Sequence, residues 1–179
     1  LPSWLLAFVL AVMTARLAML RTGRQDGAWA ALILVSMALP FTAAGAVMTD
    51  MFLALGVMLS LSALAMVLLG ARPAWRWLFF VGLGVSMLAK GPVGVVLTGI
   101  PVGFWLLFAG GWRTVWQVLP WVRGTLMTLI IVLPWYLAAE ARTPGFLDYF
   151  FIGEHVRRFV DPGWAGDLYG RAHQEPRGM

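Results

Sequence analysis

Apolar stretches follow one another along this chain with only a few polar residues between them, and the longest reach the roughly 20 residues that cross a bilayer as a helix. Charges and Gly/Pro breaks divide them into six segments: 5–20, 28–47, 51–69, 77–89, 93–108 and about 119–139. Such a pattern folds as an all-α polytopic membrane protein. Of the 179 residues, 61% are hydrophobic and 12% charged, against about 45–50% and 25% in a soluble domain. These proportions exclude a cytosolic globule, a disordered tail and a nucleic-acid-binding domain. A sequence pI near 10.7 points superficially to nucleic acid, yet the thirteen Lys and Arg are scattered over short loops. Scattered basic loops fit membrane topology better than a phosphate-binding stripe.

The chain has no cysteine, so disulfides and thiol-metal sites are excluded from it. It begins at Leu1 without a basic n-region or signal peptide and ends in a polar stretch. It reads as an internal piece of a longer protein.

Two of the breaks are very short. Met48-Thr49-Asp50 separates the second and third segments, and Lys90-Gly91-Pro92 separates the fourth and fifth. Both read as tips of helical hairpins that barely leave the membrane. Arg21, Arg24, Arg72, Arg76, Arg113 and Arg123 collect on one side, whereas the two opposite tips carry Asp50 and Lys90. The short-loop basic excess marks the cytoplasmic face, which places Asp50, Lys90 and the tail outside. Trp75, Trp77, Trp112, Trp116, Trp121 and Trp135 fall near the expected interfaces. Two regions follow: a helical bundle over 1–139 and an outer loop segment over 140–179. Within the latter, the aromatic stretch 146–152 is expected to form a short amphipathic helix lying along the interface.

The charged residues at the tips and in the tail are the candidates for chemistry. Asp50 reads either as a turn residue or N-cap, with Thr49 sharing that duty, or as a carboxylate available to a substrate. Lys90 precedes a Gly-Pro pair that forces the backbone out of helix. It either snorkels into lipid headgroups or binds an anion, and a lipid-linked phosphate suits its charge and the open backbone at Gly91 and Gly94. His155, on what reads as a loop after Gly153, is as a lone histidine more often structural than metal-binding. A zinc site would need further ligands from elsewhere. Arg157 and Arg158 offer guanidinium forks for phosphate, or pair with Glu154, Asp148 or Asp161. His173 receives no role. Gly99-x-x-x-Gly103 could form a helix-packing face.

In order along the chain stand Val47-Met48-Thr49-Asp50-Met51, Leu88-Ala89-Lys90-Gly91-Pro92-Val93-Gly94, Pro134-Trp135-Tyr136 and Pro144-Gly145-Phe146-Leu147 with Tyr149-Phe150-Phe151. Glu154-His155 and Arg158-Phe159 complete the set. This set, covering about residues 40–176, resembles the ArnT family of lipid-to-lipid glycosyltransferases, related to the protein O-mannosyltransferases and sharing their GT-C membrane fold. The resemblance implies a multi-pass enzyme of the bacterial inner membrane. It would move a sugar from a polyprenyl-phosphate carrier to a lipid A-like or other acceptor at the periplasmic face. By the same resemblance Asp50 matches the acidic residue near the reaction centre, and Lys90 the lysine that holds the carrier phosphate. His155 matches the histidine that shares a zinc ion with a glutamate of the first outer loop, and Arg158 a motif arginine. That first loop, with the family's main catalytic aspartate, is expected to lie before Leu1, so this segment alone is expected to be inactive.

A competing reading is a lipid-linked-substrate transporter or flippase. Such proteins place ionisable residues near the bilayer midplane, whereas the apolar segments here hold no acid or lysine. A structural membrane subunit is a further alternative, but it leaves the outward charges unexplained. The partners expected are a polyprenyl-phosphate-linked sugar donor, a lipid acceptor and membrane lipids, with no nucleic acid.

Overall fold

The structure is a computed structural model that describes residues 2–37, 49–157 and 160. Among these residues the chain is helical throughout and has no strands. The elements run α1 (Pro2–Thr22), α2 (Arg24–Ser36), α3 (Asp50–Leu68), α4 (Trp75–Lys90), α5 (Pro92–Ala109), α6 (Trp112–Val118) and α7 (Trp121–Arg142), followed by a π-helix (Asp148–Arg157). The chain divides into two compact units, one up to Val132 and one from Leu133 onward.

Among the described residues four helices are long and apolar enough to cross a membrane: Ser3–Leu20, Asp50–Leu68, Pro92–Ala109 and Trp121–Arg142. Of the other two expected segments, 77–89 is the 16-residue α4, which takes Trp75 and Arg76 from the preceding loop and extends to Lys90. At 1.5 Å per residue it spans about 24 Å, less than the ~30 Å hydrocarbon core. The segment 28–47 is described only as far as Met37, and its remainder lies outside the described residues.

Within the first unit, α3 and α4 form a tight antiparallel hairpin. Gly56 and Gly82 face each other across it. A Cβ on Gly56 would lie 2.5 Å from the Ser86 amide nitrogen and 2.6 Å from the Gly82 carbonyl. The absence of side chains thus lets the two backbones touch, as small residues do at membrane helix interfaces. Ser60 Oγ donates to the Phe79 carbonyl (2.9 Å), and Thr128 Oγ1 donates to the Phe80 carbonyl (2.9 Å). Those hydroxyls are buried and lock α3 and the start of α7 onto α4. Among the described residues the possible packing face at Gly99 and Gly103 meets no neighbour. Nothing lies within 4 Å of a Cβ built at either position.

Around this seam Ala63, Leu64, Phe79, Phe80, Leu106, Val115 and Leu119 form the buried core, with Trp75 and Trp121 packed at its edge. Phe79 and Phe80 meet Trp121 edge to face, with centroids 6.4 and 6.1 Å apart. Two of the tryptophans expected at interfaces therefore lend part of their surface to the core. Phe8, Leu107, Val122 and Ile130 are instead more than two-thirds exposed. In a soluble protein so many exposed apolar side chains would be a liability; on membrane helices they are surface fit for lipid or for further helices.

Candidate functional site

Helix polarity explains the first cluster. Asp50 opens α3, where an acid is favoured beside the positive end of the macrodipole, and Lys90 closes α4, where a base is favoured. Because the two helices run antiparallel, these ends coincide. Lys90 Nζ lies 3.2 Å from Asp50 Oδ1, with the two side chains 43% and 39% exposed. The N-cap expectation for Asp50 is corrected. Thr49 occupies that position in a helical conformation and makes no side-chain capping bond, and Asp50 spends its charge on Lys90.

The break after Lys90 is built into its neighbours. Gly91 takes φ 63°, ψ −138° and is buried, with its N–H donating to the Met87 carbonyl at 2.7 Å. Pro92 then begins α5 at a position where its missing N–H costs nothing. The ammonium is consequently fixed at a helix end beside bare backbone. Next to the ion pair lies an apolar cavity of about 360 Å³ lined by Thr49, Phe52, Val85, Leu88 and Ala89. One wall of the charge site is thus fit for hydrocarbon.

The second cluster belongs to the other compact unit. Glu140, near the end of α7, accepts hydrogen bonds from the Gly145 N–H at Oε1 (2.9 Å) and the Leu147 N–H at Oε2 (2.8 Å). Its carboxylate closes the Pro144-Gly145 turn and sets the start of the π-helix. Sequence reasoning treated Glu140 only as the start of the tail. An acid five residues before a glycine in a Pro-Gly turn was the available signal.

The π-helix begins two residues later than the expected amphipathic segment and runs five further, so Gly153, Glu154, His155 and Arg157 sit within it. His155 is therefore not on a loop after a glycine break, as the sequence suggested. Phe150 packs on Tyr136 (5.7 Å), Phe146 (5.4 Å) and the His155 ring (5.7 Å), an aromatic cluster that draws this face of the helix inward. His155 Nδ1 lies 2.7 Å from the Phe150 carbonyl oxygen. A carbonyl oxygen only accepts, so Nδ1 carries the proton and Nε2 is the nitrogen left with a lone pair. Metal-binding histidines are commonly held by such a carbonyl. Among the described residues no three His, Asp or Glu side chains gather as a metal site. Glu154 accepts a hydrogen bond from the Tyr149 hydroxyl. Arg157 pairs with Asp148 at 3.4 Å, both more than half exposed, which realises one of the open pairings. Arg158 and His173 lie outside the described residues.

Helices of membrane-spanning length, a paired acid and lysine at one hairpin end and a histidine held by its own helix define a membrane protein with its polar chemistry at helix ends. Residues 1–150 match the family of dolichyl-phosphate-mannose-protein mannosyltransferases, and the chain belongs to that family. It is 33% identical over 139 residues to an undecaprenyl phosphate-alpha-4-amino-4-deoxy-L-arabinose arabinosyl transferase of Pseudomonas fluorescens, covering 73% of this chain and 23% of that protein. It is 30% identical over 78 residues to the enzyme of that name from Edwardsiella ictaluri, covering 44% of this chain and 14% of that one. The chain thus spans less than a quarter of the length of these curated relatives. No solved structure matches it. The family expected from the sequence motifs is therefore confirmed.

Proposed function

We propose that the intact protein transfers a sugar from a polyprenyl-phosphate carrier to a lipid A-like or other acceptor, at the periplasmic face of a bacterial inner membrane. The observation that carries this reading is the Lys90 ammonium beside an apolar cavity, a combination suited to a phosphate attached to a hydrocarbon chain. The names of the curated relatives, which are undecaprenyl-phosphate-dependent sugar transferases, support it.

In this mechanism the carrier phosphate displaces Asp50 from Lys90. The exchange costs little because an exposed ion pair of this kind contributes only about 0–1 kcal/mol. An acceptor hydroxyl oxygen then attacks the anomeric carbon as the carbon–oxygen bond to phosphate breaks. The departing bond pair stays on the phosphate, where Lys90 neutralises it. The Asp50 carboxylate, freed from its partner, takes the hydroxyl proton as general base. His155 would hold zinc through Nε2 together with ligands elsewhere in the intact protein, and the metal, when bound, supplies Lewis-acid charge.

The test is transfer by the purified intact protein in proteoliposomes, with a radiolabelled polyprenyl-phosphate sugar as donor. Donor-dependent labelling of a lipid acceptor is expected, and absence of transfer to lipid A, other lipids and protein alike overturns the reading. Orientation is tested separately, and the lack of native cysteine in this chain helps. Single cysteines at Gly23, Ala74 and Gly111 are expected to resist an impermeant thiol reagent in spheroplasts, and one at Gly163 to react. Labelling at 74 with protection at 163 inverts the topology.

A further inference from the structure

At the end of the first unit opposite Asp50 and Lys90, a second cavity of about 660 Å³ opens between α1, α3 and α5. It is lined by Leu17, Leu61, Leu68, Pro101 and Trp105 among others, all from the C-terminal halves of their helices. The side chains that line it are apolar, and its volume lies within the range of ligand-sized sites. These three helices run in parallel and end together. Each is followed within a few residues by an exposed arginine: Arg24 after α1, Arg72 after α3 and Arg113 after α5.

The surroundings reinforce the charge. Trp75, Val115, Leu119 and Trp121 meet in one core cluster, which gathers the loop of Arg72 and Arg76, the short α6 with Arg113 and the start of α7 with Arg123 at this end. Asp26 is the one acid among the described residues of these connections. Lys90–Asp50 and Arg157–Asp148 are ion pairs between described residues, and none of these arginines takes part in them. Beside Arg113, Trp112 and Trp116 are 55% and 70% exposed, the disposition of interfacial anchors.

We infer that this end of the bundle binds an anionic glycerophospholipid, with one acyl chain in the α1–α3–α5 cavity and the phosphodiester on the guanidinium groups of Arg72 and Arg113. Hydrocarbon matches the cavity wall, and guanidinium forks match phosphate oxygens. An anionic headgroup is selected over a zwitterionic one because, among the described residues of these connections, the arginines outnumber the one acid, Asp26. The site takes a resident lipid at the end opposite the proposed transfer chemistry and does not depend on it. Zwitterionic lipid, a free phosphate ester and another helix of the intact protein are the competing occupants.

The experiment is native mass spectrometry of the intact protein, delipidated in mild detergent and then incubated with phosphatidylglycerol or phosphatidylcholine of identical acyl chains. Each arginine near a lipid surface is worth about fivefold in affinity, so two together predict a preference for phosphatidylglycerol of about 25-fold. Arg72→Gln/Arg113→Gln is expected to erase that preference. Both positions are exposed, so the double variant is expected to fold. Ala65→Phe, which fills the cavity, is expected to lower binding of both lipids. Soluble glycerol 1-phosphate in excess is expected not to displace phosphatidylglycerol. Equal retention of the two lipids by wild type, or a preference that survives the double arginine variant, overturns the inference. Displacement by glycerol 1-phosphate overturns the cavity's part in it, and no lipid retained by wild type means that protein fills the groove.

Discussion

Lys90→Ala in the intact protein is expected to lower the rate of sugar transfer by about 10²–10³-fold, the loss seen when one preorganised donor to a developing negative charge is removed. The side chain sits 3.2 Å from Asp50 at the end of α4 and is 43% exposed, so its removal empties no core. An exposed pair contributes only about 0–1 kcal/mol, and the melting temperature should therefore stay close to wild type. That separation is the point of the measurement: a rate collapse without a stability change assigns Lys90 to the reaction. If it acts on the departing phosphate, kcat falls; if it only anchors the carrier in ground and transition state alike, KM rises and kcat holds. Lys90→Arg keeps the charge but enlarges the headgroup and changes the donor geometry, and partial activity is expected. Wild-type turnover by the alanine variant ends the phosphate role.

The sequence was most informative where its signal is local. Hydropathy marked the apolar segments, and Lys90-Gly91-Pro92 marked the break that the positive φ of Gly91 realises. Glycine and proline restrict backbone choices within one or two residues, so their meaning survives without a partner. The Asp50–Lys90 contact was only half legible. Both residues were placed at outward tips, but their pairing depends on the register of α3 against α4, which is set by Gly56 and Gly82. Those two glycines lie 26 positions apart in this sequence and form no local motif, while the motif-like Gly99 and Gly103 meet no neighbour among the described residues. Spacing along one helix shows that a small face exists, but not which face meets a neighbour. Glu140 was missed for a related reason. An acid at the end of an apolar segment looks like a solubilising boundary, and its two backbone partners appear only once the Pro144-Gly145 turn folds back. The π-helix escaped because local composition does not distinguish its wider winding from that of an α-helix.

The largest effect expected in the second unit concerns metal. The Phe150 carbonyl holds Nδ1 of His155 at 2.7 Å, and the Phe150 ring meets the imidazole edge to face at 5.7 Å. These two contacts fix both the tautomer and the plane of the ring, so Nε2 is presented in one direction without an ordering cost at the moment of binding. One protein ligand is too few for a closed structural zinc site, and the described residues supply no cluster that would complete one. If His155 ligates the proposed zinc, the ion is shared with residues elsewhere in the intact protein. This chain on its own should bind zinc weakly, whereas the intact protein should carry about one zinc by elemental analysis. His155→Ala should remove that zinc together with transfer activity. A chelator should remove both from wild type, with activity returning when zinc is restored. His155→Gln keeps a polar tip but not the imidazole nitrogen, and it should behave like the alanine variant if ligation is the role. Active enzyme purified without metal, or an alanine variant that keeps both metal and activity, returns His155 to a packing role beneath Phe150.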